Sequence, residues 1–404
     1  MFDGPFAHWL SYGATDQQTI TELRGLYDGL MVPGTVAAFQ QQGTGGFVLA
    51  LSATVEGAPY VIDPRFPLFQ QALPAPKRSH TALAEAMGVP ELISTTTPKA
   101  EDFTEGIVSR VAERWLAFNE NYLGAAGQKF DKYAERLGEP LEIADADGPS
   151  HVLAPYAVAS GVNDPWWNVS QALFDASVGA ANDLSVIRVV AAADSQALGE
   201  LLQACPAEAL VVWVDNLKEL ESSADELAKY LSAISDASAA GQKPFALYGG
   251  FFSVIAGAVG LVGSSHGIGY GESRAWLELP RSGPPPARYY LNQLHRYISQ
   301  EDAQNLWVTD RALFRCDCSQ CLGRGPIELG YHDLMKHSVE CRAEEISSFG
   351  GLGLEEILNR LEAELESILD AMSGHGVSSL LWNRMERSSR HMNRWISAVR
   401  SFLS

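Results

Sequence analysis

A cluster of cysteines late in the chain has the spacing of a metal site. The stretch RCDCSQC holds three of the chain's five cysteines: Cys316, Cys318 and Cys321. A C-x-C-x-x-C triplet brings three thiolates within reach of one tetrahedral ion, and zinc usually takes a fourth ligand. The helix predicted to follow offers three candidates for that ligand: His332, His337 and Cys341. Four protein ligands would close the site, so the zinc would be structural rather than catalytic.

Two alternatives to a zinc site remain open for this cluster. The cysteines could be small buried hydrophobic residues, or they could form a redox pair or an iron–sulfur site. A structural zinc site is favoured over both, because such dense clustering is unusual in a chain with only five cysteines. Five cysteines in 404 residues are also too few for a secreted disulfide framework.

The bulk properties of the sequence indicate a globular protein of the cytoplasm. Hydrophobic residues make up 46% of the chain, which is enough for a substantial core. The N-terminal stretch MFDGPFAHWL has no basic region and no small-residue cleavage site, so we expect no signal peptide. No apolar run reaches the roughly 18 uncharged residues that a membrane span needs. We therefore expect a cytoplasmic protein without a membrane segment.

Carboxylates that could perform acid–base or nucleophilic chemistry directly follow predicted strands. Asp63 follows YVI, Asp194 follows VVAAA and Asp215 follows LVVWV. In a parallel barrel such strand ends meet at one face, which is where active sites lie. Each aspartate could also have a plainer role, since Asp63 precedes a proline and the other two could cap helices. We predict that Asp63 and Asp215 are the catalytic pair.

The glycine-rich run SSHGIGYGE supplies two further candidate residues. His266 lies between small residues in a predicted loop after a strand, and Glu272 comes at the end of the run. Both positions belong to the end of the barrel that carries chemistry, so we predict that His266 and Glu272 bind substrate. A histidine in this setting is also commonly a solvated loop residue.

Repeated strand–helix units predict an α/β fold that would position these residues. Between about residues 30 and 280, short apolar runs alternate with helical segments, and most runs are continuously apolar, as in strands buried on both faces. This pattern predicts a (β/α)8 TIM barrel, with a doubly wound sheet as the alternative. The predicted strands are GFVLALSATV (46–55), YVIDP (60–64), SHVLAPYAVASG (150–161), LSVIRVVAAA (184–193), ALVVWVDN (209–216), PFALYGG (244–250) and SSHGIGYGE (264–272).

The predicted barrel occupies residues 1–300 and contains a helical insertion near residues 100–148. The insertion carries EGIVSRVAERWLAFNENYL, in which apolar residues recur three and four positions apart. Another helix is predicted at 223–241, where SADELAKYLSAISDASAAG ends in glycine. A proline-rich joint, RSGPPPARYY at 281–290, marks the change of pattern after the strands.

The part of the chain after this joint is predicted to be mainly helical. Residues 288–314 have the pattern of helix and loop, residues 301–350 make up a zinc-binding module, and residues 351–404 form a helical hairpin. The first helix of the hairpin, at 353–372, is amphipathic. Its apolar residues fall on one face, at positions 354, 357, 361, 365, 368 and 372.

Positive charge is concentrated in the last predicted helix of an acidic chain. The net charge is −20, which opposes general nucleic-acid binding because the field repels phosphates. Four arginines of the last helix recur three or four positions apart and share one face: Arg384, Arg387, Arg390 and Arg394. This strip could bind the phosphates of a nucleic acid, or it could pair with the acidic helix at 353–372. Both interpretations remain open.

Missing motifs exclude several other chemistries. The sequence contains no G-x-x-x-x-G-K-[ST] phosphate loop, and GIGYGES does not match the dinucleotide-binding pattern G-x-G-x-x-G. The zinc-deaminase combination of H-x-E with P-C-x-x-C is also absent from the sequence.

The cysteine cluster and its surroundings resemble the zinc site of the tRNA-guanine transglycosylase family. In that family a C-x-C-x-x-C motif, a short spacer and a histidine on a helix follow a (β/α)8 barrel. HSVECRAEEI, at 337–346, is similar to the family's helix around the fourth ligand, so the resemblance implies His337 as that ligand. The spacing from Cys321 to His337 is shorter than in the family's common bacterial enzymes and closer to the archaeal-type arrangement.

Two other stretches are more loosely similar to the family. LYGGFFSVIAGAVGLVGSSHGIGYGESR, at 247–274, resembles the segment that joins its last two barrel strands. YVIDPRFPLFQ, at 60–70, resembles its second-strand segment, in which an aspartate is followed shortly by Phe-Gln. Asp63 matches that aspartate.

The resemblance implies exchange of a nucleobase, as in tRNA modification with queuosine and related 7-deazaguanines. One aspartate attacks the anomeric carbon of the ribose and displaces guanine, and a second aspartate works with the departing and entering bases. The family's nucleophile lies in a G-x-D-x-x-D-like stretch at the last strand. The corresponding residues here, 263–268, contain no aspartate.

Two predictions about function follow from this departure. In the first, the chain is a divergent transglycosylase that acts on tRNA or DNA through Asp63 and Asp215. In the second, it is a non-catalytic subunit that serves as a scaffold for a nucleic acid or a partner protein, for which the family offers a precedent. The family's zinc module takes part in dimer contacts, so the resemblance also implies a homodimer or a heteromeric partner.

Overall fold

The computed structural model describes residues 1–404 except residues 3, 14, 216, 270, 277–287 and 374–377. A parallel β-barrel makes up most of the first 270 residues. Its strands are β1 (Ala7–Ser11), β2 (Gly29–Pro33), β3 (Tyr60–Asp63), β4 (Val152–Leu153), β5 (Val158–Ala159), β6 (Val186–Ala192), β7 (Ala209–Val214), β8 (Lys243–Ala246) and β9 (Gly263–Gly267).

Pairing between neighbouring strands closes the sheet into a barrel. The strands are hydrogen-bonded in the order β4-β3-β2-β1-β9-β8-β7-β6-β5, and β4 also pairs with β6. Because β4 and β5 both lie against β6, with Val152 opposite Val186 and Val158 opposite Ala191, they are two segments of one barrel position. The predicted (β/α)8 TIM barrel is therefore confirmed, and closure excludes the open doubly wound sheet.

Helices cover the outside of this barrel. Those that precede the last barrel strand are α1 (Gln17–Glu22), α2 (Gly34–Phe39), α3 (Gln41–Ser52), α4 (Arg78–Ala86), α5 (Glu105–Glu120), α6 (Tyr122–Ala126), α7 (Phe130–Leu137), α8 (Pro165–Ala180), α9 (Ser195–Gln203), α10 (Ala224–Ala239) and α11 (Phe251–Gly257). Because they lie outside the sheet, each strand is buried on both faces. In β6, for example, Val189 and Ala191 face the barrel interior while Val190 and Ala192 face helices.

The helical insertion lies between β3 and β4. The predicted segment at 100–148 contains α5, α6 and α7. Trp115 of α5 is fully buried, and its indole Nε1–H donates to the Leu153 carbonyl at 2.9 Å. This hydrogen bond fixes the insertion to the short strand β4.

Most of the predicted strands contain barrel strands, but the prediction at 46–55 is wrong. Residues 41–52 form the helix α3, in which Phe47 to Leu51 are all buried. A short, wholly apolar run does not distinguish a buried helix from a buried strand, because neither shows a periodic pattern. The sequence pattern also does not indicate β1 and β2, whose five-residue sequences are AHWLS and GLMVP.

Among the described residues after the barrel, a hairpin is followed by helices. The proline-rich joint at 281–290 lies largely outside the described residues. The elements that follow are β10 (Arg288–Leu291), β11 (Arg296–Ser299), α12 (Gln300–Thr309), α13 (Arg311–Phe314), α14 (Tyr331–Phe349), α15 (Leu354–Ser373) and α16 (Ser379–Leu403). The prediction of helix and loop for 288–314 is wrong in its first half, where β10 and β11 pair as antiparallel four-residue strands.

The C-terminal helices pack on the barrel through buried rings. The predicted amphipathic helix at 353–372 is confirmed as α15, and its six apolar positions are all buried. Trp395 of α16 is fully buried, and its Nε1–H donates to the Glu219 carbonyl at 2.8 Å. Phe251 stacks on His295 with ring centroids 3.6 Å apart. Among the described helices, none has both the length and the apolar character that crossing a membrane requires.

Candidate metal centre and candidate active site

The four residues predicted as metal ligands converge in the structure. The ligand atoms of Cys316, Cys318, Cys321 and His337 all lie within 4.8 Å of one another. His337 Nδ1 is 3.7, 3.3 and 3.6 Å from the three sulfurs in that order. A tetrahedral ion with metal–sulfur bonds of about 2.3 Å and metal–nitrogen bonds of about 2.0–2.1 Å would place the nitrogen about 3.6 Å from each sulfur. The cluster could therefore hold one metal ion.

A tight turn between α13 and α14 brings the three sulfurs together. The backbone N–H of Cys318 points at Cys316 Sγ at 3.5 Å, and that of Cys321 points at Cys318 Sγ at 3.4 Å. Leu322 and Gly323 follow with positive φ angles of 44° and 81°, so the chain reverses directly after the last cysteine. Such N–H···S contacts stabilise thiolates, which is the form that binds metal.

The helix α14 supplies the imidazole in a fixed orientation. His337 Nε2 lies 2.7 Å from the Tyr290 carbonyl, so this nitrogen carries the hydrogen and Nδ1 presents its lone pair to the sulfurs. The two other candidates for the fourth ligand are less well placed. His332 is exposed and its Nδ1 lies 3.3 Å from Thr19 Oγ1, and Cys341 Sγ is not part of the convergent group.

Asp63 ends β3 at the carboxyl-terminal mouth of the barrel and is fully buried. Its carboxylate accepts hydrogen bonds from the hydroxyls of Tyr156 at 2.8 Å and Tyr248 at 3.2 Å. It also accepts from the backbone N–H of Arg65 at 3.0 Å, and the Arg65 guanidinium lies 2.8 Å away as an ion pair. Burial raises the pKa of both phenols, so the hydroxyls stay protonated and donate. Asp63 thus stabilises the turn that follows it, through the Arg65 N–H, and also lies at a strand end.

Asp215 directly follows β7 at the same face of the barrel and is almost fully buried. Its Oδ1 accepts from the backbone N–H of Trp276 at 2.9 Å. The helix that follows is capped by Ser223, so the alternative role of Asp215 as a helix cap is wrong. Asp194 does cap a helix, because its side chain accepts from the Ala197 N–H at 2.8 Å at the start of α9. Of these two strand-end aspartates, only Asp194 caps a helix.

A narrow cleft lies beside Asp63, with a volume of about 10 Å³, which is room for about one water molecule. Two arginines and several aromatic rings line it: Arg65, Pro67, Leu68, Tyr156, Trp213, Tyr248, Arg274 and Trp276. Trp213 meets Tyr156 and Tyr248 edge to face, with ring centroids 6.1 and 5.8 Å apart. Arg274 donates to the Tyr248 hydroxyl at 3.2 Å. The cleft therefore offers flat apolar walls and positive charge around a buried carboxylate.

His266 lies in a different place from the one predicted. It belongs to strand β9 rather than to a loop, is buried, and points out of the barrel on the same side as Leu10. Its Nε2 lies 2.8 Å from His8 Nε2. Burial lowers its pKa well below the usual value, so the ring is neutral. His266 is not one of the described residues that line the cleft, and its substrate-binding role stays a prediction.

Glu272 lies behind the barrel mouth, between β9 and the helix α14. Its carboxylate forms an ion pair with Arg342 at 2.6 Å. Burial raises the pKa of Glu272 to about 7, against the opposing pull of the arginine. Neither Glu272 nor His266 is among the described residues that line the cleft. Glu272 instead contacts helix α14 through Arg342.

The four arginines of α16 do not form one free strip. Arg384 pairs with Asp302 of α12 at 2.8 Å, and Arg394 donates to the Leu220 carbonyl of the barrel. These two guanidiniums fix α16 to its neighbours. The alternative pairing with the acidic helix α15 is made instead by Arg400, at 2.7 Å from Glu362.

The two remaining arginines of the strip face solvent. Arg387 is exposed, and its Nε donates to the carbonyl of Asn383 in its own helix. Arg390 is exposed and lies 3.9 Å from Glu386, which is a weak pair. Of the four predicted nucleic-acid-binding arginines, these two are exposed and make no contact with another helix among those described, whereas Arg384 is 40% exposed but paired with Asp302.

The aromatic residues around Asp63 were not predicted from the sequence. Tyr156 comes just after β4 and Tyr248 just after β8, so both stand at strand ends like the aspartates. Arg65 is two positions after Asp63, in the stretch IDPRF. Looking for every polar or aromatic side chain at a strand end, instead of carboxylates alone, would have found all three.

Comparison with known proteins identifies no family. No family profile matches the sequence, and no curated protein matches it. Solved structures with some similarity in backbone fold include a proposed fructose-1,6-biphosphate aldolase from Coccidioides immitis. It is 7% identical in sequence, with a TM-score of 0.36, and the alignment covers 85% of this chain and 90% of that one.

Two other solved structures are similar at the same low level. The β-glycosidase BGL167 is 12% identical with a TM-score of 0.31, over 62% of this chain and 75% of that one. Nitroalkane oxidase from Streptomyces ansochromogenes is 12% identical with a TM-score of 0.28, over 99% of this chain and 98% of that one. None of these three is described as a transglycosylase. The scores are too low to support an argument, so the barrel assignment depends on the strand pairing.

Proposed function

We propose that this chain is a divergent transglycosylase-like protein that exchanges a nucleobase in a nucleic acid and holds one structural zinc ion. The observation that carries the proposal is the combination of three features in chain order. A closed (β/α)8 barrel presents Asp63 and Asp215 at the ends of its strands, and a module with three cysteines and a histidine follows it. The barrel followed by this module is the order that the sequence resemblance leads us to expect, while Asp63 and Asp215 would take the place of the aspartates missing from residues 263–268.

Zinc fits the donor set of the metal centre. Three thiolates and one imidazole are ligands of structural zinc, and their spacing suits its bond lengths. The ion would link the cysteine turn to α14 and so stabilise the module against the barrel. Because four protein ligands leave no open position, zinc takes no part in the proposed reaction.

In the proposed reaction, a carboxylate oxygen of Asp63 attacks the anomeric carbon of the target nucleoside, and the bond from that carbon to the base breaks. The departing base takes a proton from Asp215 and leaves as a neutral free base. The incoming base then returns a proton to Asp215 as its nitrogen attacks the anomeric carbon. The bond to Asp63 breaks in this second step, so both carboxyl groups recover their starting state.

A planar substrate can reach Asp63 only when the cleft widens, because its present volume holds about one water molecule. In the widened cleft the rings of Trp213 and Tyr248 would be surfaces on which a base can stack, and stacking is worth about 1–3 kcal/mol per base. Arg65 and Arg274 place positive charge at this mouth of a chain with net charge −20. For Asp63 to attack, the hydroxyl of Tyr248 and the guanidinium of Arg65 must exchange their contacts with the carboxylate for contacts with the substrate.

Incorporation of labelled base tests this proposal. The zinc-loaded protein is incubated with tRNA or DNA and with labelled guanine or a labelled 7-deazaguanine, and label in the polymer is counted. Asp63→Asn and Asp215→Asn should each reduce incorporation by at least about 100-fold, because each removes a group that takes part in bond making or proton transfer. Asp194→Asn is the matched control and should keep wild-type incorporation. If both test variants incorporate base at the wild-type rate, the assignment is lost.

A second candidate function is favoured by two observations. Residues 263–268, which correspond to the family's nucleophile segment, contain no carboxylate, and Asp63 is already engaged by three hydrogen bonds and an ion pair. In this second candidate the chain is a non-catalytic subunit that binds a nucleic acid or a partner protein. The net charge of −20 agrees with a subunit that does not hold nucleic acid alone.

Two measurements separate the candidates. The scaffold predicts no base incorporation by the isolated chain and a dimer or larger complex in light scattering. It also predicts that a zinc chelator dissociates this complex, because the module would form the interface. Incorporation by the purified chain alone would refute the scaffold.

A further inference from the structure

A fourth cysteine lies against the metal cluster without belonging to it. Cys341 is fully buried on α14, one helical turn after His337. Its Sγ lies 3.3 Å from His337 Nδ1 and 4.0 Å from Cys316 Sγ. Because it is outside the group whose ligand atoms lie within 4.8 Å of one another, at least one other ligand atom is farther away. The thiol therefore stands beside the imidazole, at the edge of the cluster.

We propose that Cys341 is an alternative fourth ligand, which gives the site a second, all-sulfur mode of metal binding. In this mode Cys316, Cys318, Cys321 and Cys341 hold a soft divalent ion such as Cd2+, while zinc takes the mode with His337. Soft ions prefer thiolates to imidazole, so the choice of ligand set follows the ion.

The positions of the atoms support such an exchange. A tetrahedral four-sulfur site with bonds of about 2.3 Å has sulfur–sulfur edges of about 3.8 Å, and an ion with longer bonds needs longer edges. The 4.0 Å between the sulfurs of Cys316 and Cys341 meets this requirement for one edge, and Cys341 Sγ would move toward the other two sulfurs to complete the site. His337 and Cys341 are four positions apart on the same helix face, so both approach the cluster from one side. The exchange would require new side-chain rotamers at both residues, with His337 giving up its contact with the Tyr290 carbonyl.

Metal stoichiometry in matched variants tests the exchange. Each protein is purified and equilibrated with Cd2+ alone, circular dichroism verifies the fold, and bound metal is measured by mass spectrometry. His337→Ala should keep about one Cd2+ per chain, and Cys341→Ser should also keep one. The double variant His337→Ala, Cys341→Ser should lose at least about 90% of the ion, because only three protein ligands remain. Equal retention by the double and single variants would overturn the proposal.

Cadmium-113 NMR tests the same point without relying on the His337 variant. In the wild-type protein the resonance should fall in the range of four-sulfur coordination. In Cys341→Ser it should move upfield to the range of three sulfurs and one nitrogen. An identical resonance in the two proteins would contradict a role for Cys341. These readouts report coordination alone, so they succeed or fail independently of base exchange.

Discussion

Replacing Asp63 with asparagine should destabilise the protein by about 3–5 kcal/mol. The carboxylate is fully buried and is the ion-pair partner of Arg65, whose side chain is only 15% exposed. Removing one member of a buried pair leaves the other charge without compensation, and measured losses for that change are about 3–5 kcal/mol. Asparagine also places an NH2 group where the carboxylate accepts from Tyr156 and Tyr248, so one of those hydroxyls loses its acceptor.

The expected shift in melting temperature follows from chain length. An unfolding entropy of about 2.1 cal/mol/K per residue gives roughly 0.85 kcal/mol/K for 404 residues. A loss of about 3–5 kcal/mol then lowers the melting temperature by about 4–6 °C. Asp194→Asn is the matched control, because asparagine caps a helix as well as aspartate does, and its shift should be under about 1 °C.

A double variant separates loss of the charge pair from simple loss of packing. Arg65→Met removes the orphaned guanidinium, and replacing both members of a buried pair by groups of similar volume is often near neutral. The variant Asp63→Asn, Arg65→Met should therefore be more stable than Asp63→Asn alone by at least about 2 kcal/mol, measured by scanning calorimetry and urea unfolding. If the double variant is less stable than Asp63→Asn, the buried ion pair is not what holds this part of the barrel mouth together.

Three further predictions concern the metal, pH and nucleic acid. Cys318→Ser should reduce bound zinc from about one ion per chain to near zero and lower the melting temperature, because the cysteine turn loses its link to α14. Burial raises the pKa of Glu272 from 4.5 to about 7. Between about pH 4.5 and 7 the folded state therefore keeps a proton that the unfolded state has lost. The free energy of unfolding should fall as pH rises from about 4.5 to 7, by at most about 1.4 kcal/mol per pH unit. In Glu272→Gln, the urea midpoints measured over the same pH range should not show this contribution. If the chain binds nucleic acid through α16, Arg387→Gln with Arg390→Gln should reduce the salt slope of binding by about two, whereas Arg400→Gln, whose guanidinium is paired with α15, should leave it unchanged.

The metal centre was the part of the site that sequence could predict best, because its chemistry is local. Three of the ligands fall within six positions, and the fourth lies on the next long helix. Choosing that fourth ligand needed the structure, since His332, His337 and Cys341 are all on α14. The rotation of α14 about its axis decides which side chain faces the sulfurs. His332 faces Thr19, and His337 faces the sulfurs.

The network around Asp63 could not be predicted, because its members are far apart in sequence. Tyr156 and Tyr248 lie 93 and 185 positions from Asp63, and their contacts with it depend on the order in which the strands pair. Apolar runs predict where strands lie, but they do not determine which strands are neighbours. His266 shows the related difficulty with register, since a shift of one residue along β9 would move it from the outer face to the barrel interior.

A covalent adduct is the most direct test of the central claim that Asp63 attacks a nucleoside in a nucleic acid. The zinc-loaded protein is mixed with end-labelled tRNA or DNA, the reaction is quenched, and the products are separated on a denaturing gel and mapped by mass spectrometry. We predict a labelled band at the combined mass, attached at Asp63, present in Asp194→Asn and absent in Asp63→Asn. A labelled band that persists in Asp63→Asn, or no band with either polymer from folded, zinc-loaded protein, would contradict the claim.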